Sequence, residues 1–133
     1  MNFLPSFLEG FSPELYLAIL SQVAHADGLH PSEAALLNQQ AENFGVKLTE
    51  LPQVPNDLSG VPWQTRILVY RDALMLSYAD GQLSEQEQAH LSNLAERLQL
   101  GESTTSEIAA WVNDYSNLLN RLEIILKQQS IPE

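Results

Sequence analysis

Residues 24–28 and 77–81 carry the same short motif. The first copy reads Ala24-His25-Ala26-Asp27-Gly28, and the second reads Ser77-Tyr78-Ala79-Asp80-Gly81, 53 residues further along the chain. After a one-residue gap the match continues at an offset of 54, and it includes these pairs: Leu29 and Leu83, Glu33 and Glu87, Leu37 and Leu91, Ala41 and Ala95, Glu42 and Glu96. Each motif lies between apolar residues at helical spacing, which predicts two helix–turn–helix hairpins. Two such hairpins pack together because neither can bury its apolar face alone.

The repeated motif belongs to a chain that we predict to be all-α. Ser12, followed by Pro13 and Glu14, is typical of a helix start, and Pro31 opens a second helix that Gly45 ends. The stretch from Trp63 to Ala79 is apolar nearly all round, which places a third helix in the middle of a bundle. Ser84 begins a fourth helix, with Gly101 beyond its end, and no stretch has the alternating pattern of a strand.

The whole chain, residues 1–133, is predicted to form one compact helical domain. Repeat one spans residues 13–45, the proline-containing connector 46–61, repeat two 62–100 and a long closing helix 104–128. The connector has room for one short helical turn around residues 48–51. Thr104 with Glu107 has the spacing of a capping box at the start of the closing helix.

The closing helix carries an apolar stripe with steps of three and four residues. The members of this stripe are Ile108, Trp111, Tyr115, Leu118, Leu122 and Ile125. We expect the stripe to pack on the two hairpins. The alternative is that some of Trp111, Tyr115 and Leu118 form a docking face for a partner or a second subunit. On the third helix, Arg71 and Asp72 interrupt the apolar pattern, so they lie at an exposed edge or pair with neighbouring helices.

Composition excludes several classes of function. The chain has 17 Asp and Glu residues against 6 Lys and Arg, a formal net charge of −11 and no cysteine. Too few basic residues are present to expect binding to nucleic acid or to an anionic membrane. Without cysteine there are no disulfides, thiolate metal ligands or thiol nucleophiles. We find neither a secretion signal nor an apolar run long enough to span a membrane, so we expect a cytoplasmic protein with a cationic ligand or a protein partner.

The two Asp-Gly turns are the candidate functional site. Glycine ends a helix in a left-handed conformation, and Ser84 with Glu87 forms a capping box for the next helix. Helix punctuation does not require Asp27 or Asp80, and an aspartate at a helix carboxyl end is unfavourable next to the helix dipole. If the repeats pack side by side, these two aspartates converge with one glutamate from each following helix. Such a carboxylate cluster suits a hard divalent cation such as Ca²⁺, Mg²⁺ or Mn²⁺.

In both turns the pattern Ala-Asp-Gly followed by a glutamate resembles the TerB-like family, named for tellurite resistance. The residues are Ala26-Asp27-Gly28 with Glu33, and Ala79-Asp80-Gly81 with Glu87. The resemblance covers about residues 12–128. It implies a non-enzymatic, stress-associated binding domain with Asp27, Glu33, Asp80 and Glu87 as metal ligands and an unidentified protein partner. His30 stands where the second helix needs a cap, and it is also placed to join a borderline metal such as Zn²⁺.

Other functions remain as alternatives. One is a metal-free interaction module in which the acidic surface meets a basic partner. An EF-hand is less favoured, because its first ligand positions would fall on Leu76 and Tyr78. A di-iron site needs two Glu-x-x-His motifs, and only Glu87 with His90 has that spacing. Paired carboxylates could serve acid/base catalysis, but no nucleophile or phosphate loop accompanies them, so we expect no enzyme activity.

Overall fold

The computed structural model describes residues 11–26, 28, 31–77 and 84–128, without the side chains of Ala26 and Ser32. These residues form five α-helices and one short 3₁₀ turn, and they contain no strand. The helices are α1 (Pro13–Ala26), α2 (Pro31–Phe44), α3 (Trp63–Ser77), α4 (Glu85–Arg97) and α5 (Glu102–Lys127), and the turn is Leu48–Glu50. The prediction of an all-α fold is confirmed, while the predicted end of the third helix at Ala79 lies outside the described residues.

Helix α3 is central, because it contacts α1, α4 and α5. Val69 and Ala73 are fully buried in it, which agrees with its apolar sequence. Helix α1 is equally buried, with Leu17, Ile19 and Leu20 almost inaccessible to solvent. One apolar core joins all five helices and the connector. Two helices rather than one therefore run through the interior.

Local signals set most helix ends. Ser84 and Glu87 form the predicted capping box of α4, with the Ser84 hydroxyl accepting from the Glu87 N–H and the Glu87 carboxylate accepting from the Ser84 N–H. Gly28 and Gly45 have positive φ angles of 80° and 68°, so both adopt the left-handed conformation that ends a helix. The end of α4 is different. There Gln99 takes the left-handed position with φ of 52°, and Gly101 is the N-cap of α5.

The predicted capping box at the start of α5 is wrong. The helix begins at Glu102, two residues before the predicted start at residue 104, so Thr104 lies inside its first turn. The N-cap Gly101 makes no side-chain cap bond. Glycine is tolerated at an N-cap because it adopts the required extended backbone without steric cost. Thr104 has the residue type and spacing of an N-cap, but it lies three positions after the actual N-cap, Gly101.

The connector between the hairpins is tied to α4. The backbone N–H of Leu58 donates to the carbonyl of Arg97 at 2.9 Å, and the Leu58 side chain is fully buried. Arg97 in turn donates through Nε to the carbonyl of Asn56 and through Nη2 to that of Pro55, both at 3.1 Å. Arg66 extends this contact by donating to the carbonyl of Leu98 at 3.0 Å. These bonds hold the proline-containing segment against the end of α4.

Helix α5 packs on the bundle only over its first half. Ile108 and Val112 are buried against the core. Beyond them Leu118, Leu122 and Ile125 are 59%, 49% and 61% exposed. The expectation that the whole stripe packs on the hairpins is therefore wrong from Leu118 onward. The helix is long enough to extend past the elements that would cover it.

Candidate functional site

Glu33 and Glu87, two of the predicted metal ligands, occupy the same place in their helices. Each is the third residue of its helix, in α2 and α4 respectively, and each follows an Asp-Gly motif in the sequence. Their surroundings differ, since Glu33 is only 8% exposed whereas Glu87 is partly exposed and engaged in the capping box. The bond to Ser84 occupies one oxygen of the Glu87 carboxylate, which retains further acceptor capacity.

The other predicted ligands, Asp27, Asp80 and the additional His30, lie outside the described residues. Convergence of the four carboxylates therefore stays a prediction. Within the described ranges, no three histidine, aspartate or glutamate side chains are grouped closely enough to hold a metal ion. What the structure gives is the position of one glutamate from each half of the predicted set.

A buried polar cluster lies elsewhere in the bundle. Asp72 of α3 accepts hydrogen bonds from the Tyr16 hydroxyl of α1 and from Arg71, whose Nε lies 2.7 Å from Oδ1 and whose Nη2 lies 3.2 Å from Oδ2. Gln40 of α2 completes the cluster by donating to the Tyr16 hydroxyl oxygen at 3.3 Å. Asp72 and Arg71 thus pair with each other and with α1, which decides between the two expectations for these charges.

Burial and charge shift the proton equilibria of this cluster in defined directions. Desolvation raises the pKa of Tyr16 well above the usual value of a phenol, and the negative charge of Asp72 raises it further. Burial by itself disfavours the charged form of Arg71, but the hydrogen bond and charge of Asp72 outweigh it and raise the pKa of the guanidinium. Tyr16 is therefore a permanent donor and Arg71 a permanent cation at physiological pH. These bonds fix the relative positions of the helices that carry the cluster.

Arg71 also links this cluster to α5. Its guanidinium lies over the ring of Trp111, with the carbon 5.3 Å from the ring centroid, within the range of a cation–π contact. Trp111 in turn stacks on Tyr115, with centroids 5.3 Å apart and planes at 7°. The aromatic pair thus lies at the middle of α5, at the edge of the packed bundle.

Two surface cavities accompany these elements. The first, here called the α3–α5 groove, has a volume of about 420 Å³ and lies between the two helices. Its lining is mainly apolar, with Trp63, Ile67, Leu68, Ile108 and Trp111, and its polar residues are Arg71, Thr104 and Glu107. The second, of about 330 Å³, lies between α1 and α4 and is lined by residues that include His90 and Arg97. Neither cavity includes Glu33 or Glu87.

Sequence reasoning missed Tyr16, the residue that joins Asp72 to α1. Its partner lies 56 residues away, so no local spacing connects the two. The available signal was the charged pair Arg71-Asp72 in an apolar helix, because a buried carboxylate requires donors. The charged pair predicts that Asp72 has a further hydrogen-bond donor, but it does not identify Tyr16 as that donor.

The sequence also matches the model of a known protein family. The model of the family described as tellurite resistance protein TerB matches residues 18–110, well over half of the chain. The chain belongs to the TerB family. Comparison with curated proteins and with solved structures gave no significant match.

The family match covers nearly all of the two repeats of this TerB-family chain but not the second half of α5. The matched residues include both Asp-Gly turns, Glu33 and Glu87, and the whole of α2, α3 and α4. The match ends within α5, just before Trp111, so the exposed second half of that helix lies beyond it. In the described part of the chain, no helix is long and apolar enough to cross a membrane.

Proposed function

We propose that this TerB-family, tellurite-resistance-associated domain binds a divalent cation through its two acidic turns and couples the bound state to a protein partner. The ligands would be Asp27, Glu33, Asp80 and Glu87, with His30 as an additional donor. The domain acts in the cytoplasm without catalysing a reaction. Binding would stabilise the turns that join α1 to α2 and α3 to α4.

One observation carries the proposal: two glutamates hold the same helix position after matching Asp-Gly turns. The first of the two, Glu33, is a buried carboxylate. Carboxylate oxygens are the ligands that Ca²⁺, Mg²⁺ and Mn²⁺ prefer, so the donor set fits such an ion.

The two turns are not expected to contribute equally. Glu33 is only 8% exposed, whereas Glu87 is partly exposed and belongs to the capping box of α4. Glu33 is the more enclosed group. We therefore propose that substitution of Glu33 weakens binding more than substitution of Glu87.

Thermal unfolding with added metal tests the proposal. Millimolar Ca²⁺, Mg²⁺, Mn²⁺ or Zn²⁺ should raise the unfolding midpoint, since an ion at a hundredfold excess over its Kd adds about 2.7 kcal/mol to the free energy of unfolding. The Asp27→Asn/Asp80→Asn variant should lose the increase. No increase with any of the four ions would overturn the proposal, and an increase that survives in the double variant would overturn the ligand assignment.

A matched pair of glutamate variants controls for the change in net charge. Glu33→Gln/Glu87→Gln removes two proposed ligands and preserves the α4 capping box, because glutamine can replace glutamate there. Glu42→Gln/Glu96→Gln removes the same charge from the exposed repeat-related pair. Only the first variant should lose the response to metal.

The metal-free interaction module remains the second candidate, and the net charge of −11 favours it. In that case a basic protein would bind the acidic surface with an affinity that falls steeply with salt. A chelator would not change that affinity. A partner whose binding responds to salt and not to chelator would therefore support this second function over the first.

A further inference from the structure

The second half of α5 exposes more apolar surface than any other described part of the molecule. Among the described residues, seven of the nine large apolar side chains that are strongly exposed lie on this helix: Trp111, Leu118, Leu119, Leu122, Ile124, Ile125 and Leu126. We call residues 113–127 the α5 tail. A helix of this length is marginal by itself in water, and a contiguous apolar surface marks an interaction site.

Six residues of α5, most of them exposed, follow a heptad pattern. Ile108, Trp111, Tyr115, Leu118, Leu122 and Ile125 alternate in steps of three and four, and we call this set the α5 seam. Steps of this kind keep one helix face turned toward a second, supercoiled helix. Ile108 and Trp111 also line the α3–α5 groove. The groove and the exposed tail therefore form one continuous apolar surface about as long as α5 itself, which is about 39 Å for 26 residues.

The charge of the tail differs from that of the rest of the chain. The tail contains Asp114, Glu123, Arg121 and Lys127, two acids and two bases, and so has no net charge in a protein of net charge −11. Glu123 and Lys127 pair within the helix at 2.7 Å. Asp114 and Arg121 remain, with opposite charges seven residues apart on the same flank of the seam. Two copies of so acidic a protein could approach each other at this surface without net repulsion.

We propose that a second copy of this chain covers the α5 seam in an antiparallel arrangement. Placing Tyr115 of one copy opposite Leu118 of the other brings Asp114 beside Arg121 of the second copy, and twofold symmetry forms this ion pair twice. The same register sets Leu122 and Ile125 of the second copy against Trp111 and Ile108. The tail of each copy thereby fills the apolar groove of the other.

A parallel arrangement lacks this complementarity. With the helices parallel and in register, Asp114 would lie beside Leu119 of the second copy, and Arg121 beside Leu126. Both charges would be partly desolvated by apolar neighbours without gaining an opposite charge. The antiparallel dimer also sets the two acidic bundles at opposite ends of the paired helices. The proposed dimer does not involve the carboxylates of the proposed metal site, so the two proposals can be tested independently.

Sedimentation equilibrium tests the dimer and the face that forms it. The wild-type chain of 14.8 kDa should reach twice that mass in a concentration-dependent way. Leu118→Asp should weaken dimerisation at least tenfold. Ile124→Asp is the matched control, because both side chains are 59% exposed but Ile124 lies off the seam. A wild-type chain that stays monomeric up to about 1 mM, or equal effects of the two variants, would overturn the proposal; circular dichroism checks that both variants remain folded.

Charge reversal and a distance measurement test the register. Asp114→Arg and Arg121→Asp should each weaken the dimer several-fold, and the combined variant should restore it. Because the chain has no cysteine, Gln128→Cys takes a single spin label. The antiparallel register places two labels about 35 Å apart, from the helix rise of 1.5 Å per residue. A separation near the ~10 Å of adjacent helix axes would indicate a parallel pair and overturn the register.

Discussion

The Tyr16 hydroxyl donates a hydrogen bond to Asp72 Oδ2, and this bond joins α1 to α3 within the core. The two helices are the most buried in the molecule, so the bond lies where water cannot replace it. Asp72 is held from a second side by Arg71, and Arg71 continues to Trp111 of α5. The Asp72 carboxylate thus connects α3 to α1 directly and to α5 through Arg71.

Removing the phenol hydroxyl should measure the strength of this link. Tyr16→Phe keeps the ring and leaves Asp72 without one donor, so we expect a loss of about 1.5–3 kcal/mol in the free energy of unfolding, as for a hydrogen bond to a charged group. Urea denaturation gives the value. Tyr115→Phe makes the same chemical change at a partly exposed site and should cost less than about 0.5 kcal/mol. Equal losses in the two variants would contradict the role given to Tyr16.

The raised pKa of Tyr16 predicts a specific loss of stability in alkali. Above pH 10 the unfolded chain releases the Tyr16 proton, whereas the folded chain retains it because of burial and the charge of Asp72. The unfolded state then binds fewer protons, so the free energy of unfolding falls with rising pH, by up to about 1.4 kcal/mol per pH unit from this group. Stability from this group is complete below pH 10. Urea titrations between pH 9 and 12 should show a shallower decline in Tyr16→Phe, and identical slopes would refute the assignment.

Alanine substitutions at Ser84 and Thr104 should have different effects on the free energy of unfolding. Ser84→Ala removes the hydroxyl that accepts from the Glu87 N–H and should cost about 1 kcal/mol. Thr104→Ala changes a residue inside α5 to a better helix former, and we expect it to be neutral or slightly stabilising. Thermal and urea unfolding of both variants provide the comparison. A larger loss of stability for Thr104→Ala than for Ser84→Ala would indicate that Thr104 is the N-cap of α5 after all.

Gln99 offers a route to higher stability. It holds a positive φ of 52° at the end of α4, where a side chain is strained and glycine is not. Gln99→Gly should therefore raise the free energy of unfolding by about 0.5–1 kcal/mol, provided that relief of strain exceeds the extra entropy of the unfolded chain. Gly45→Ala places a side chain at φ of 68° and should have the opposite sign. Calorimetry on the two variants tests the pair.

Local chemistry made much of the fold predictable. Pro13 and Pro31 start helices, Gly28 and Gly45 end them, and the Ser84 capping box forms as its spacing indicates. Each of these signals acts within four residues, so tertiary packing does not have to be known. The start of α5 was misplaced because Gly101 serves as a weak N-cap and Thr104 resembles a stronger one.

Long-range relationships were less accessible. The pattern in α5 indicates which face is apolar but not where the bundle ends along it, so the expectation of a fully packed stripe is wrong at Leu118 and Ile125. Tyr16 carries no signal that pairs it with Asp72, since the contact depends on how two hairpins dock. For the candidate metal site, the helix positions of Glu33 and Glu87 follow from local sequence signals. The approach of the two turns is a matter of tertiary geometry, and Asp27 and Asp80 lie outside the described residues.

The bonds from Arg97 to the connector have a consequence for how the chain opens. A segment with three prolines in or beside it would ordinarily be the first place for a protease to cut between two halves. Here its carbonyls at Pro55 and Asn56 and the N–H of Leu58 are tied to the end of α4. A protease can reach the segment only when that end of α4 unfolds, so limited proteolysis should not cut within the connector until the connector and the end of α4 open together.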